Sequence, residues 1–224
     1  MRKVVLSELL SLDGVAEDPN KFFFDWDEVV DANGAALIAS QDAVLLGRRS
    51  YDEWSEFWPD SDIEPFATFI NDVPKYVATS TPLGRHWHNT TAIEGGLVEF
   101  VQNLKNSSGG DIGVHASISV AQALLAADAI DEVRLTVAPA IAGRGRRLLD
   151  GLPPIRLELL RSVTSPSGYL LADYRISRSL GSPPRARDRN SRAGRPLLPR
   201  WERSVVPTGA VVVDKWGHQA WVTA

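Results

Sequence analysis

Apolar positions along this chain fall into two spacings that alternate from the amino terminus to Ile176. Short runs rich in β-branched and aliphatic residues predict strands at Lys3–Leu10, Ala43–Leu46, Tyr76–Thr79, Thr90–Ile93, Ile112–Val114 and Glu132–Ala138. Helical spacing predicts an amphipathic helix over Asp27–Ser40, a second beginning near Ser50 and a short one over Pro65–Asn71. Further helices are expected over Gly96–Asn106, with Leu97, Val98, Val101 and Leu104 on one face, and over the alanine- and leucine-rich Ile118–Ala127. Ser50-Tyr-Asp-Glu53 matches a capping box, and Ser117 stands where it would cap the helix that follows. Two last strands, Arg156–Val163 and Gly168–Ile176, flank the turn Ser165-Pro-Ser-Gly168. The expected fold is α/β, with a mainly parallel sheet that finishes in an antiparallel hairpin.

Three strand ends carry the chemistry: AVLLGRRSYDEW at Ala43–Trp54, YVATSTP at Tyr76–Pro82 and DIGVHASIS at Asp111–Ser119. Each apolar run stops at small or hydroxyl residues, and two of them lead into a predicted helix. A helix N-terminus presents unpaired N–H groups and the positive end of its dipole, which attracts phosphate. Ligands of open α/β sheets collect outside the carboxyl ends of the strands. Several such turns on one sheet point to an anionic ligand of nucleotide size.

Composition narrows this picture. The 224 residues suit one ordinary domain plus an extension, and 44% hydrophobic residues are enough for a full core. No apolar run is long enough to span a membrane, and Glu8 interrupts the one at the amino terminus, which reads as a first strand. Zero cysteines exclude disulfides, thiolate chemistry and zinc–sulfur sites, and a cytoplasmic address is the simplest fit. No metal site is expected, since His86-Trp-His88 has no carboxylate partner and reads as a loop.

The formal charge of −4 conceals an asymmetry. Up to Ser177 there are 15 Lys and Arg against 25 Asp and Glu; from Arg178 onward there are 9 against 3. The 8 arginines of Arg178–Arg203, set among Pro, Ser and Gly, predict a basic, mostly disordered tail at 178–224. Within it, Ala210–Val222 could form a small hairpin around Lys215-Trp-Gly217. Such a tail would touch nucleic acid only weakly, through charge.

Five pieces in order carry a family resemblance: SLDGVAED at Ser11–Asp18, DAVLLGRRSY at Asp42–Tyr51, VPKYVATST at Val73–Thr81, GGDIGVHASISVAQALL at Gly109–Leu125 and DEVRLTVAPAIAGRGRRLLDG at Asp131–Gly151. Together they resemble the dihydrofolate reductase-like superfamily, and within it the C-terminal reductase domain of the riboflavin-biosynthesis deaminase–reductase, over residues 1–177. The resemblance implies a dihydrofolate reductase-like fold and NADPH as cofactor. Gly47, Arg48 and Arg49 would then meet the cofactor phosphates, the glycine through close backbone approach and the arginines through their forked donors. Ser80 and Thr81 would hold the adenosine 2′-phosphate. His115, Ala116 and Ser117 form a turn against the cofactor, where the family usually has glycine at the position of Ala116. Gly143 and Gly145 belong to a loop that helps close the site.

On the substrate side the resemblance places Ser11 and Asp13 in a loop over the nicotinamide. Asp31, 16 residues before Gly47, stands near the spacing of a pteridine-binding carboxylate. Asp13 and Asp31 are therefore the candidate catalytic carboxylates, and Ser11 and Trp54 the candidate substrate contacts; Trp54, Phe57 and Trp58 could line a cavity. The implied activity is reduction of a pyrimidine- or pteridine-type heterocycle, similar to 5-amino-6-(5-phosphoribosylamino)uracil reduction, by a homodimer. Two alternatives stay open: a dihydrofolate reductase-type activity, and a nucleotide-binding protein without turnover.

Overall fold

The seven residues of β1 (Val4–Leu10) are almost wholly buried on both faces, as a central strand of a parallel sheet must be. β1 pairs in parallel with β5 (Asp111–His115) on one side and β6 (Glu132–Val137) on the other. The parallel set continues through β2 (Gln41–Gly47), β3 (Lys75–Ala78) and β4 (Thr90–Ala92). At the other end β7 (Leu157–Thr164) and β8 (Leu170–Ile176) form the predicted antiparallel hairpin, closed by the Gly168 N–H on the Ser165 carbonyl. The sheet order is β4-β3-β2-β5-β1-β6-β8-β7. These elements belong to a computed structural model that describes residues 1–177, Val212–Val213 and Gln219–Ala220.

Helices cover both faces. α4 (Leu97–Lys105) and α5 (Ile118–Ala126) pack Val101, Ala121 and Leu124 onto Leu6, Leu45, Ile112 and Val114. α1 (Glu28–Ile38), α2 (Arg48–Phe57) and α3 (Phe66–Asp72) cover the opposite face, with Tyr51 and Ile70 against Val44, Leu46 and Val77, and Val30 against Leu171 and Tyr169. The Asp27 carboxylate caps α1 by accepting from the Val29 and Val30 N–H groups. Lys75, fully buried, donates to the carbonyls of Ile70, Asn71 and Val73 and so closes the C-terminus of α3. Its ammonium lies 4.6 Å from the Trp87 ring centroid, and burial pushes its pKa down to about 8.

Two helix starts differ from expectation. α2 begins at Arg48, with Gly47 as its N-cap, so Ser50 lies inside the first turn and builds no capping box. The Ser50 hydroxyl donates instead to the Ala116 carbonyl at 2.6 Å. Ser117 does precede α5, but its hydroxyl does not cap that helix. It accepts from the Gly47 N–H at 2.8 Å and donates to the Ser50 hydroxyl at 3.0 Å, joining the first turns of α2 and α5. The expected tail over residues 178–203 lies outside the described residues. In the later segment, Val212–Val213 pairs antiparallel with Gln219–Ala220, and the turn expected at Lys215-Trp-Gly217 is likewise outside them.

Candidate functional site

The carboxyl ends of β1, β2, β5 and β6 open into a cleft of about 990 Å³. Its volume is at the upper end of the range for ligand sites, roughly 300–1,000 Å³. The floor holds Ser7, Glu8 and Leu9 of β1, His115 of β5 and Thr136 of β6. One wall is formed by the starts of α2 and α5, with Gly47, Arg48, Arg49, Ala116 and Ser117; another by α1, with Val30, Asp31 and Gly34; a third by Trp54, Trp58 and Phe66.

Gly47 has φ −83°, a conformation open to any residue, and a Cβ there would meet only Val120 and Ser117 at 3.5 Å or more. Nothing in the fold demands glycine at this position. Its missing side chain leaves bare backbone at the start of α2, facing the cleft. Gly34 is similar: it sits inside α1, where glycine costs about 1 kcal/mol against alanine, and a Cβ would meet no atom within 4 Å. Ala116 keeps the left-handed turn, with φ 48°, despite its methyl group.

The arginines of this wall are occupied. Arg48 pairs with Asp52 at 2.8 Å and donates to the Thr81 hydroxyl at 2.6 Å, which brings two predicted cofactor residues together. Arg49 spans Glu53 and Glu17, each at 2.9 Å. Arg146, in the loop of Gly143 and Gly145 but not among the predicted site residues, also lines the cleft and donates to the Ser119 hydroxyl. Exposed pairs of this kind are worth about 0–1 kcal/mol, so an incoming phosphate displaces them at little cost.

Two titratable groups on the floor are buried without charge partners. Glu8 is 5% exposed, its Oε2 has no hydrogen-bond partner, and burial pushes its pKa up to about 8. His115 contacts the Gln41 amide oxygen at 2.8 Å, and burial pushes its pKa down to about 4. Gly113 makes room for that pair, since a Cβ would lie 2.1 Å from the Gln41 oxygen. Both Glu8 and His115 are therefore predominantly neutral at pH 7.

Several predicted site residues lie elsewhere. Asp13 does not line the cleft: its carboxylate accepts from the Ser11 hydroxyl and the N–H groups of Ala142 and Gly143, and contacts Arg147. Those hydrogen bonds, Ser11 foremost, hold its pKa down at about 2, so it is a brace between two loops and no proton donor near neutral pH. Ser11 is buried in the same brace. Gly143 and Gly145 are also absent from the lining; Gly145 packs on Val15, where a Cβ would approach to 2.6 Å. Ser80 and Thr81 stand just outside the lining, Thr81 linked to it through Arg48. Asp31 does line the cleft, is exposed and accepts from the Trp26 indole N–H. Trp54 lines it too, edge-on to Trp58 and Phe66. Phe57 does not.

Glu8 is the residue that sequence reasoning missed, and the signal was present: a carboxylate in the middle of VVLSELL, an otherwise strand-like run. Comparison with known proteins places this architecture. The RibD C-terminal domain family matches residues 2–171. The chain belongs to that family. Uncharacterized protein YyaP of Bacillus subtilis (strain 168) is 28% identical over 179 residues, covering 77% of this chain and 94% of that protein. Among solved structures, a candidate riboflavin biosynthesis protein of Shewanella sp. PV-4 superposes with a TM-score of 0.62 at 22% identity, covering 79% of this chain and 99% of that one. Dihydrofolate reductase from Enterococcus faecalis, solved with NADP(H) and RAB-propyl, gives 0.54 at 13% identity, over 78% and 96%. The fold is therefore dihydrofolate reductase-like.

Proposed function

We propose that this chain is an NADPH-dependent reductase of a pyrimidine- or pteridine-type heterocycle. The observation that carries the reading is the meeting of two helix N-termini, α2 and α5, at one cleft beside a glycine the fold does not need. A reductase with NADP(H) among its structural neighbours and a family named for riboflavin biosynthesis support the same reading.

The residues fit a dinucleotide at this wall. Gly47, whose own N–H is held by Ser117, leaves room for a phosphate to approach the start of α2, and Arg48, Arg49 and Arg146 offer forked donors. When bound, NADPH supplies the hydride; the protein's part is to orient the two rings and exclude water. Trp54, Trp58 and Phe66 give a flat heterocycle an aromatic wall, and Gly34 lets it lie close to α1. Asp31, at the rim, is the group available to a C=N-bearing ring, which keeps a dihydrofolate reductase-type activity as the second reading. A homodimer is part of the proposal: β7 is an edge strand that exposes Leu157, Leu159 and Leu160.

Isothermal titration of the full chain with NADPH and with NADH tests the reading. Micromolar NADPH binding, weaker for NADH and weakened again in Arg48→Ala, is the expected result. Absence of binding to both nucleotides overturns it.

A further inference from the structure

The carboxyl of Glu8 is not explained by the fold. It lines the cleft on a central, largely buried strand of the sheet, with Oε2 unpartnered among the described residues. A carboxyl oxygen left unpartnered in such a place costs about 1–3 kcal/mol relative to an apolar side chain of the same shape. Its neighbours in the sheet explain nothing either. The register sets Ser7 beside His115, and hence Glu8 level with the Ala116 turn; on the other side it faces Leu135. That is where the α5 end of the cleft meets the floor.

We propose that Glu8 is a ligand-recognition residue, whose carboxyl pairs with a primary or cyclic amide on a ring seated at the carboxyl end of β1. Burial keeps the group protonated, and a neutral carboxyl offers one O–H donor beside one carbonyl acceptor. An amide presents the complementary pair, an acceptor oxygen beside an N–H, so both groups are satisfied at once. An ionised carboxylate could not do this, because it has no proton to give. Under the reductase reading, on which this inference rests, two ring amides are available: the carboxamide of the nicotinamide and the lactam of the heterocycle. The titratable and charged groups around the cleft are His115 on β5, Asp31 on α1, Glu17 and Asp18 after β1, Arg48, Arg49 and Glu53 on α2, Glu64 before α3 and Arg146 after β6. None of them contributes to the protonation of Glu8, which follows from burial and prevails over a hydrogen bond from the Leu9 backbone N–H that favours the ionised form.

Isothermal titration of the full chain at pH 6.5 and pH 9.5 separates the possibilities, using NADPH, its nicotinamide-free analogue 2′-phospho-ADP-ribose, and pterin as a lactam probe. If only the protonated carboxyl accepts the amide, a pKa of about 8 leaves roughly 3% of the protein competent at pH 9.5, a loss of about 30-fold in affinity. Glu8→Gln keeps a donor beside an acceptor and does not titrate, so it should bind NADPH at both pH values with little change. Glu8→Leu should bind at least about tenfold more weakly at pH 6.5, by loss of the pair. Lys75, whose pKa is also near 8, is present in every variant, so its titration cancels.

A pH-dependent loss seen with NADPH and not with the phospho-ADP-ribose assigns the nicotinamide carboxamide as partner. A loss with pterin that is greater in wild type than in Glu8→Gln assigns the lactam, since the pterin N–H itself ionises between the two pH values in both proteins. Wild-type protein that binds neither nucleotide defeats the reductase reading, and pterin then decides on Glu8 by itself. Glu8→Leu binding every probe as wild type does, or wild type binding none of them, overturns the proposal.

Discussion

Replacing Glu8 with glutamine should convert a stability that falls with pH into one that is nearly flat between about pH 6.5 and 7.5. The carboxyl has an ordinary pKa of 4.5 when the chain is unfolded and about 8 when folded. A raised folded pKa means that the native state holds the proton over that interval while the unfolded state releases it. Stability is therefore complete below pH 4.5 and declines as pH rises toward 8. At about 1.36 kcal/mol per pKa unit, the whole decline is about 4–5 kcal/mol, a large part of the roughly 5–15 kcal/mol that holds a domain folded. His115 works in the opposite sense: its pKa falls from 6.5 to about 4 on folding, so its contribution is complete above pH 6.5 and is lost as pH falls to 4. Between pH 4.5 and 6.5 the two slopes cancel; above pH 6.5 Glu8 dominates until Lys75, whose pKa falls from 10.5 to about 8 on folding, adds an opposing rise from about pH 8 upward. Urea denaturation of wild type and Glu8→Gln, at several pH values from 5 to 8.5, isolates the Glu8 contribution because His115 and Lys75 are common to both. The two proteins should be similar at pH 5, and by pH 8.5 the variant's midpoint should be higher by about 2 M, taking a urea slope near 2 kcal/mol/M. A stability difference that changes by less than about 1 kcal/mol across this range would refute the burial argument.

Other substitutions separate fold from site. Gly47→Ala should change stability by less than about 1 kcal/mol, because the lower entropy of the unfolded chain is offset by a poorer N-cap, while weakening NADPH binding at least tenfold; thermal melts and calorimetric titration read the two effects. Ala116→Gly should raise stability by about 0.5–1 kcal/mol, because relief of the left-handed strain, about 1–2 kcal/mol, exceeds the entropy glycine adds to the unfolded chain; a lower midpoint in denaturant would show that the methyl makes packing contacts of greater value. Leu159→Arg, on the exposed edge strand, should shift sedimentation from dimer to monomer with the melting temperature of the dilute protein little altered.

The elements were legible in the sequence where one local signal decides them. β-branched runs bounded by turns marked the strands, and the Ser165-Pro-Ser-Gly168 turn marked the hairpin that closes the sheet. Helix starts were less legible, since a hydroxyl that could cap its own helix can also serve another. Ser50 and Ser117 both lie near helix starts, and each spends its hydrogen bonds across the gap between α2 and α5. The same limit applies to the site. Asp13 and Asp31 look alike as carboxylates near loops, yet one is consumed by the N–H groups of a segment more than a hundred residues away and the other faces the cleft. Glu8 became a candidate only when burial and the missing partner were both visible, because a pattern of strand residues does not say which side chains find partners.

The central place of β1 bears on how the chain is made as well as on what it binds. This strand is synthesised about a hundred residues before its pairing partners, which lie in the strands that begin at Asp111 and Glu132. At about 5–20 residues per second, Val4–Leu10 waits roughly 5–20 s for β5. During that interval VVLSELL is an exposed β-forming segment of the kind that pairs with copies of itself. Its one carboxylate, Glu8, is ionised in the unfolded chain at neutral pH and sets a charge in the middle of the segment. The side chain that burdens the native core thus protects the nascent chain from aggregation, and it takes up its proton only when the sheet closes around it.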